Sequence, residues 1–313
     1  MKAKFLFRFI GPLIFVALFY VYVDVGTLTN ILIASKWTFF ALSLALIPPL
    51  IFLRSNRWRI ILSKYAISYT RWQCFKIYFV EMVAIMVVAT VGTFAKAVYL
   101  KRDGHGLLIP LMSILAEKYY DFLLPLIFGG ISVFLVWIKL SSDIGLALFI
   151  LIACLAFFPA RKASLLLSRR FLPQRLKKLL LEKGWNINEN LHKIHDILDF
   201  KIYFCSLEAF GLYFVSIYFL TKGLHLELDF FQVVLILTIT SLITLIPISF
   251  LGIGTRDAGL LAVFNFFGHT PEEAVALSMA LLLVRIAIVL MGSIFWFIDP
   301  PPLNELKKLK KNK

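Results

Sequence analysis

A chain of 313 residues that is 60% hydrophobic and only 16% charged, with a mean hydropathy of +0.87, carries recurring uncharged runs long enough to cross a bilayer. That composition excludes an ordinary soluble domain and identifies an all-α, polytopic integral membrane protein. The formal net charge of +15 does not point to nucleic acid, because the Lys and Arg sit in short segments beside apolar runs, as in cytoplasmic membrane loops and anionic-lipid contacts.

At the N-terminus Lys2, Lys4 and Arg8 precede an apolar run at about 9–23, and no small-x-small cleavage signal follows Val23, so a retained first span is expected. A polar loop with Asp24, Thr27, Thr29 and Asn30 leads to a second span at about 37–53. The next segment, 54–71, carries Arg54, Arg57, Arg59, Lys64 and Arg71 and reads as a loop. The positive-inside rule places this loop and the N-terminus in the cytoplasm.

The run 75–91 ends in GTFAKAVYLKRDGHG and is followed by a long run, 107–138, interrupted by Glu117, Lys118 and Asp121. A further run, 144–158, precedes the most basic region, 161–201, with ten Lys or Arg against four acids. If all three runs crossed, the two most basic loops would lie on opposite sides. The parity is repaired if 75–100 dips in and returns, which also leaves Lys101 and Arg102 in the cytoplasm.

Within 161–201, Phe171, Leu172, Leu176, Leu179 and Leu180 fit the apolar stripe of an interfacial helix resting on anionic headgroups. The basic linker 159–201 therefore separates two pseudo-halves, 1–158 and 202–313, of one membrane domain. His192 and His195 have no companion ligand, and Cys74, Cys154 and Cys205 lie in or beside apolar runs without ligand spacing. No metal, cofactor or disulfide is expected.

The second half has a span at about 202–220, an outer loop with Lys222, Glu227 and Asp229, and a final span at about 274–298; the tail 306–313 is basic and reads as cytoplasmic. Between those spans the segment PISFLGIGTRDAG, 247–259, places a proline, three glycines and the Arg256-Asp257 pair between apolar runs. Irregular backbone and full charges are tolerated at membrane depth only where protein or a water-filled cavity satisfies them, so the segment reads as the tip of a second re-entrant hairpin, entering from outside. GTFAKAVYL with Gly104-His105 parallels GTRDAGLLAVFNFFGH with Gly268-His269, which suggests an inverted repeat. The expected architecture is about six transmembrane helices plus two re-entrant helical hairpins.

Lys96, Glu117, Lys118, Asp121, Glu208, Arg256, Asp257 and Arg285 are then ionisable residues at membrane depth, each costing about 2.5 to 3.5 kcal/mol if it faced lipid. Some are expected to be ion pairs fixing helix packing, Glu117 and Asp121 with Lys118 above all. Lys96, Arg256 and Arg285 read as a cationic pocket for a lipid phosphate, aided by helix N-termini at the broken segments, with Gly252 and Gly254 shaping the second tip. Glu81 and Lys76 mark a rim, and Trp58, Trp72, Trp137 and Trp296 read as interfacial anchors. Gly252-x-Gly254 is no dinucleotide fingerprint, since Asp257 takes the third glycine position.

The G-x-x-x-K pattern from Gly92 to Lys96, the AEKYYD string at 116–121, the PISFLGIGTRD block and Leu283-Val284-Arg285 together resemble the transmembrane region of lysylphosphatidylglycerol synthases and related stand-alone flippase-like proteins. Family members typically have arginine where this chain has Lys96 and Lys118, and glutamate where it has Asp257; charge sign is kept, while bidentate recognition by arginine is lost at two places. The resemblance implies a flippase moving an anionic, aminoacylated or polyisoprenyl-phosphate-linked lipid between leaflets of the cell membrane, with no cofactor and both termini cytoplasmic. The synthases carry an aminoacyl-transferring domain after the membrane region, and with the chain stopping at Lys313 no such synthesis is expected of it. An alternative is a membrane-embedded transferase on a lipid-linked sugar, against which stands the lack of a D-x-D, nucleotide-loop or G-x-S-x-G motif; a non-transporting lipid-binding assembly factor is a third.

Overall fold

The computed structural model describes residues 19–106, 108–138, 142–157, 199–244 and 254–300, and every regular element among them is helical. Most of the expected first span, the basic linker with its interfacial helix, residues 245–253 including Gly252, and the basic tail lie outside the described residues. Among the described residues four helical stretches are long and apolar enough to cross a membrane: Trp37–Ser63, Ile109–Trp137, Phe200–Gly223 and Pro271–Ile298.

The first of these corrects the sequence reading, which ended the span at Leu53 and took 54–71 as a loop. After α1 (Val25–Ile33), helix α2 (Trp37–Ala45) passes through Leu46 in a right-handed helical conformation directly into α3 (Ile47–Ser63). Pro48 and Pro49 fall in the first turn of α3, where a missing N–H costs no hydrogen bond. Ile51, Ser55, Trp58 and Leu62, spaced by four, three and four, are all buried and carry the helix through the arginines. Arg57 shares that inward side and is fully buried. Counting positive charge ended the span ten residues early, because it missed this periodicity.

Helix α4 (Arg71–Val88) runs into a 3-10 turn (Ala89–Phe94) and then α5 (Ala95–Arg102). The turn folds the chain back onto α4 so closely that a Cβ at Gly92 would lie 2.2 Å from the carbonyl carbon of Ala84. Only glycine fits there. The Tyr69 hydroxyl donates to the Asp103 carboxylate, which returns the far end of α5 to the start of α4 and closes a helical hairpin.

Helix α6 (Leu108–Ile138) is followed by α7 (Ser142–Leu155), α8 (Phe200–Gly223), α9 (Phe230–Thr244), α10 (Thr255–Phe266) and α11 (Pro271–Ile298). Thr270 caps α11 by accepting from the N–H of Glu273, whose carboxylate in turn accepts from the N–H of Thr270. Buried small polar residues join the long helices: Ser43 of α2 meets Ser216 of α8 at 2.9 Å, and Thr238 of α9 donates to the Pro125 carbonyl of α6. Phe128, Phe149, Phe210 and Phe214 fill the space between α6, α7 and α8 with ring contacts of 5.1 to 6.2 Å.

Contacts between helix ends define two poles. At one, Lys64 Nζ lies 2.5 Å from Asp199 Oδ2, and Arg102 Nη1 lies 2.9 Å from Asp299 Oδ1, which gathers the ends of α3, α5 and α11 and the start of α8. At the other, the Lys36 N–H donates to the Gly223 carbonyl at 2.8 Å and the Asp24 N–H donates to Glu272 at 3.0 Å. The α4–α5 hairpin therefore opens at the Asp199 pole. Helix α9 starts after Asp229 at the opposite pole and packs against α6 through Thr238, and α10 returns to Thr270 at that same pole. Helices α4 and α5 thus have their outer ends at one pole, and the start of α9 and the end of α10 lie at the other.

Candidate functional site

The first hairpin places charge just past its turn, and α10 carries charge in its own first turn. On the first, Lys96 in the opening turn of α5 is buried and its ammonium touches two carboxylates. One is Glu117 of α6, which accepts its hydrogen bond, and the other is Glu81 of α4, 2.8 Å away; the three side chains are 2–4% exposed. The same ammonium lies over the ring of Tyr78 at 4.3 Å and near that of Trp58 at 5.2 Å, so aromatic faces complete its surroundings. Glu81, read from sequence as a rim residue, is thus an interior ligand of Lys96.

Arg57 extends this cluster. Its Nη2 lies 2.9 Å from Asp121 Oδ1 and 3.5 Å from Glu117 Oε1, across from α3 to α6. Lys118 points the other way: its side chain is 55% exposed and reaches Asp121 only at 3.4 Å. Successive residues on a helix lie about 100° apart, which sends Glu117 inward and Lys118 outward. The expected Glu117–Asp121 grouping is present, with Arg57 rather than Lys118 as its main cation. Trp58 is likewise no interfacial anchor, because it is fully buried and its indole N–H donates to the Ser113 hydroxyl at 3.3 Å. Glu208 is exposed on α8.

On the second hairpin Gly254, at φ 91°, turns the chain into α10, a conformation that suits glycine. Its N–H donates to Asp257 Oδ2 at 2.8 Å, which caps the helix. Asp257 Oδ1 receives Arg256 Nη2 at 3.0 Å and the Ser278 hydroxyl at 2.5 Å, and the Ser278 oxygen accepts from Arg256 Nη2 at 2.8 Å. Ser278 belongs to α11 and was not anticipated; two turns along the same face stands Arg285, within electrostatic range of Arg256, Asp257 and Tyr213. Arg256 and Asp257 are both buried.

Arg54 stands between the two clusters. Its guanidinium lies 5.7 Å from the Phe210 ring and 5.8 Å from the Tyr213 ring, and it interacts electrostatically with Asp121. Tyr213 is thereby shared between Arg54 on one side and Arg285 on the other. Contacts join Lys96, Glu117, Arg57 and Asp121, with Arg54 in electrostatic range of Asp121; Arg285 and Arg256 interact with each other, and Tyr213 is the residue that both Arg54 and Arg285 approach. Such groups are retained at membrane depth only where they serve one another or a polar guest. Among the described residues no group of three or more His, Cys, Asp or Glu is placed to hold a metal ion.

The family profile described as Lysylphosphatidylglycerol synthase TM region matches residues 8–295, nearly the whole of the chain. The chain belongs to the lysylphosphatidylglycerol synthase transmembrane family. No curated protein and no solved structure matches it. Membership, with the four long apolar helices, makes this a multi-pass membrane protein of a family that acts on lipids. Within this family member, Lys96 and Asp257 each have a buried partner of opposite sign.

Proposed function

We propose that the protein is a lipid flippase, in which the buried charge between the two hairpins shelters a phosphate-bearing headgroup while its tails stay in lipid. The observation that carries this reading is that two hairpins from opposite poles each present a cation held by a carboxylate, Lys96 with Glu117 and Arg256 with Asp257. That pairing suits a path usable from either side. Arg256 and Arg285, with Lys96, form the phosphate-facing cations, and Glu117, Asp121, Asp257 and Lys118 hold or flank them. The headgroup is anionic, aminoacylated or joined to a polyisoprenyl phosphate.

In this reading the segments 9–23 and 144–158 cross the membrane alongside the four long apolar helices Trp37–Ser63, Ile109–Trp137, Phe200–Gly223 and Pro271–Ile298, and the two hairpins re-enter as an inverted pair. The Asp199 pole, bearing Lys64, Arg71, Lys101 and Arg102 and joined to the basic linker, is cytoplasmic, as are both termini. The test is purified protein in liposomes with acyl-labelled fluorescent phosphatidylglycerol. The label should move between leaflets with its mass unchanged, and Arg256→Gln or Arg285→Gln should slow it. Chemical modification of the lipid on adding a sugar donor, without movement, would replace this reading with the transferase one.

A further inference from the structure

Among the described residues six buried side-chain nitrogen or oxygen atoms have no hydrogen-bond partner, and five belong to the first cluster: Nε of Arg54, Nε and Nη1 of Arg57, Oε2 of Glu81 and Oε1 of Glu117. Folded interiors leave few such atoms, and their concentration at one place marks a site whose polar groups serve something besides one another. Unmatched donors and unmatched acceptors occur together there. Unmatched donors and acceptors side by side are the groups that a buried water or an exchangeable proton would serve.

The carboxylates are not equally provided for. Glu117 takes the hydrogen bond of Lys96 and also faces Arg57, whereas the Oε2 of Glu81 has only the Lys96 ammonium, 2.8 Å away, whose charge it shares with Glu117. The groups facing Glu81 are Tyr78 on its own helix, Lys96 from α5, Glu117 and Lys118 from α6, and Arg57 beside them from α3. Helix α11 packs against α4 through Gly292 and Phe295, which are apolar. One ammonium therefore serves two buried carboxylates, and the one left short is Glu81.

We infer that Glu81 is a proton-binding site, with Lys96 as the counter-charge it shares with Glu117. In the ionised form the ammonium is divided between the two carboxylates. When hydronium gives its proton to a Glu81 oxygen, the new O–H bond replaces the one broken in hydronium, a water molecule is left, and Lys96 is left wholly to Glu117. The proton thus sets the electrostatic tie between the outgoing limb of the hairpin, α4, and its return limb, α5. Contacts of alternating sign, Glu81, Lys96, Glu117, Arg57, Asp121 and Lys118, lead from the 3% exposed Glu81 to the 55% exposed Lys118. Such a site suits a transporter that uses a proton gradient; that use rests on the flippase reading, while the proton site does not.

Infrared difference spectroscopy of the purified protein, titrated between about pH 5 and 9, reads the site directly. A protonated-carboxyl band that fades on alkalinisation, shifts in heavy water, disappears in Glu81→Gln and persists in the exposed-site control Glu227→Gln is the expected result. Glu81→Gln mimics the protonated form and should remain monodisperse; Glu81→Asp should restore a titrating band. Absence of a titrating band in the wild type, or its survival in Glu81→Gln, overturns the proposal whether or not any lipid moves. In liposomes with fluorescent phosphatidylglycerol, an imposed pH difference should bias the leaflet distribution severalfold in the wild type and not in Glu81→Gln. An equal bias in both would overturn the coupling, and a wild type that moves no lipid would remove the flippase reading and leave the spectral result standing.

Discussion

Arg57 Nη2 lies 2.9 Å from Asp121 Oδ1, joining α3 to α6 from a side chain that is 1% exposed. Replacing Arg57 by Ala leaves Glu117 buried beside Lys96 alone and Asp121 with only a long contact to Lys118 and the more distant charge of Arg54. Removing one partner of a buried pair costs about 3 to 5 kcal/mol, because the charge left behind has lost both water and its partner. Denaturant unfolding in detergent should show a loss of that order for Arg57→Ala. The double replacement with Asp121→Ala should recover part of it, and strict additivity would show that the contact does not couple the helices.

Arg57 also illustrates what the sequence concealed. The class, the two breaks and the residues of opposite sign near them were legible, because Gly, Pro and charge inside apolar runs have few explanations in a bilayer. Glu81 and Arg54 were harder, since a single charge near the end of an apolar run looks the same whether it snorkels outward or points inward. The inward side had to be read from neighbours: Ile51, Ser55, Trp58 and Leu62 form a buried stripe that runs on to include Ile61, and Arg57 adjoins it. Ser278 gave no signal at all, as a serine in an apolar helix acquires its role only from the Arg256 and Asp257 brought to it.

Gly92 provides a test of the first hairpin that does not involve charge. Alanine there would set its Cβ 2.2 Å from the Ala84 backbone, which no side-chain rotation relieves. Overpacking of this kind costs about 1 to 3 kcal/mol, and backbone contact places Gly92→Ala at the upper end. Gly130, exposed on α6 with nothing within 4 Å, is the control, and Gly130→Ala should be neutral or stabilise by up to about 1 kcal/mol. Size-exclusion profiles and thermal melts of the two variants should diverge in opposite directions.

Asp199 caps α8 through the Lys201 N–H at 2.8 Å and holds Lys64 at 2.5 Å. Partial burial alone raises its carboxyl, and these two hydrogen bonds more than reverse that, so it titrates below the ordinary aspartate range. A folded-state value below the unfolded one means that the stabilisation is present above about pH 4 and is lost as pH falls through the lower, folded value. Asp199→Asn should therefore be less stable than the wild type near neutrality. Melting curves of the pair should converge as the medium is acidified below about pH 4, and a gap that stayed constant would show that the cap's charge plays no part.

Arg256 donates through Nε and Nη2 to Asp257 and through Nη2 to Ser278. Arg256→Ala leaves a buried Asp257 with hydrogen bonds from Ser278 and the Gly254 N–H only and with Arg285 as its remaining cation, at a cost of about 1 to 3 kcal/mol. Arg256→Lys keeps the charge but lacks the planar fork, so it should fold while binding a phosphate headgroup less well. Fluorescent phosphatidylglycerol binding by the folded variant separates the two effects. Equal binding by the lysine variant and the wild type would take Arg256 out of the headgroup site.

The two poles make a prediction about sidedness that decides whether the hairpins re-enter. In a chain whose three cysteines are replaced, single cysteines are placed at Ser63 and His105, which flank the α4–α5 hairpin, and at Glu227 and Asn265, which flank the α9–α10 hairpin. If each hairpin returns to the side it left, Ser63→Cys and His105→Cys share one compartment, and Glu227→Cys and Asn265→Cys share the other. The basic residues Lys64, Arg71, Lys101 and Arg102 around the first pair place that compartment in the cytoplasm. A membrane-impermeant thiol reagent added to whole cells should therefore label only the second pair, and all four after permeabilisation. Labelling of His105→Cys from outside while Ser63→Cys stays protected would mean that 71–102 crosses the bilayer, and the opposed hairpins would no longer offer a path from both sides.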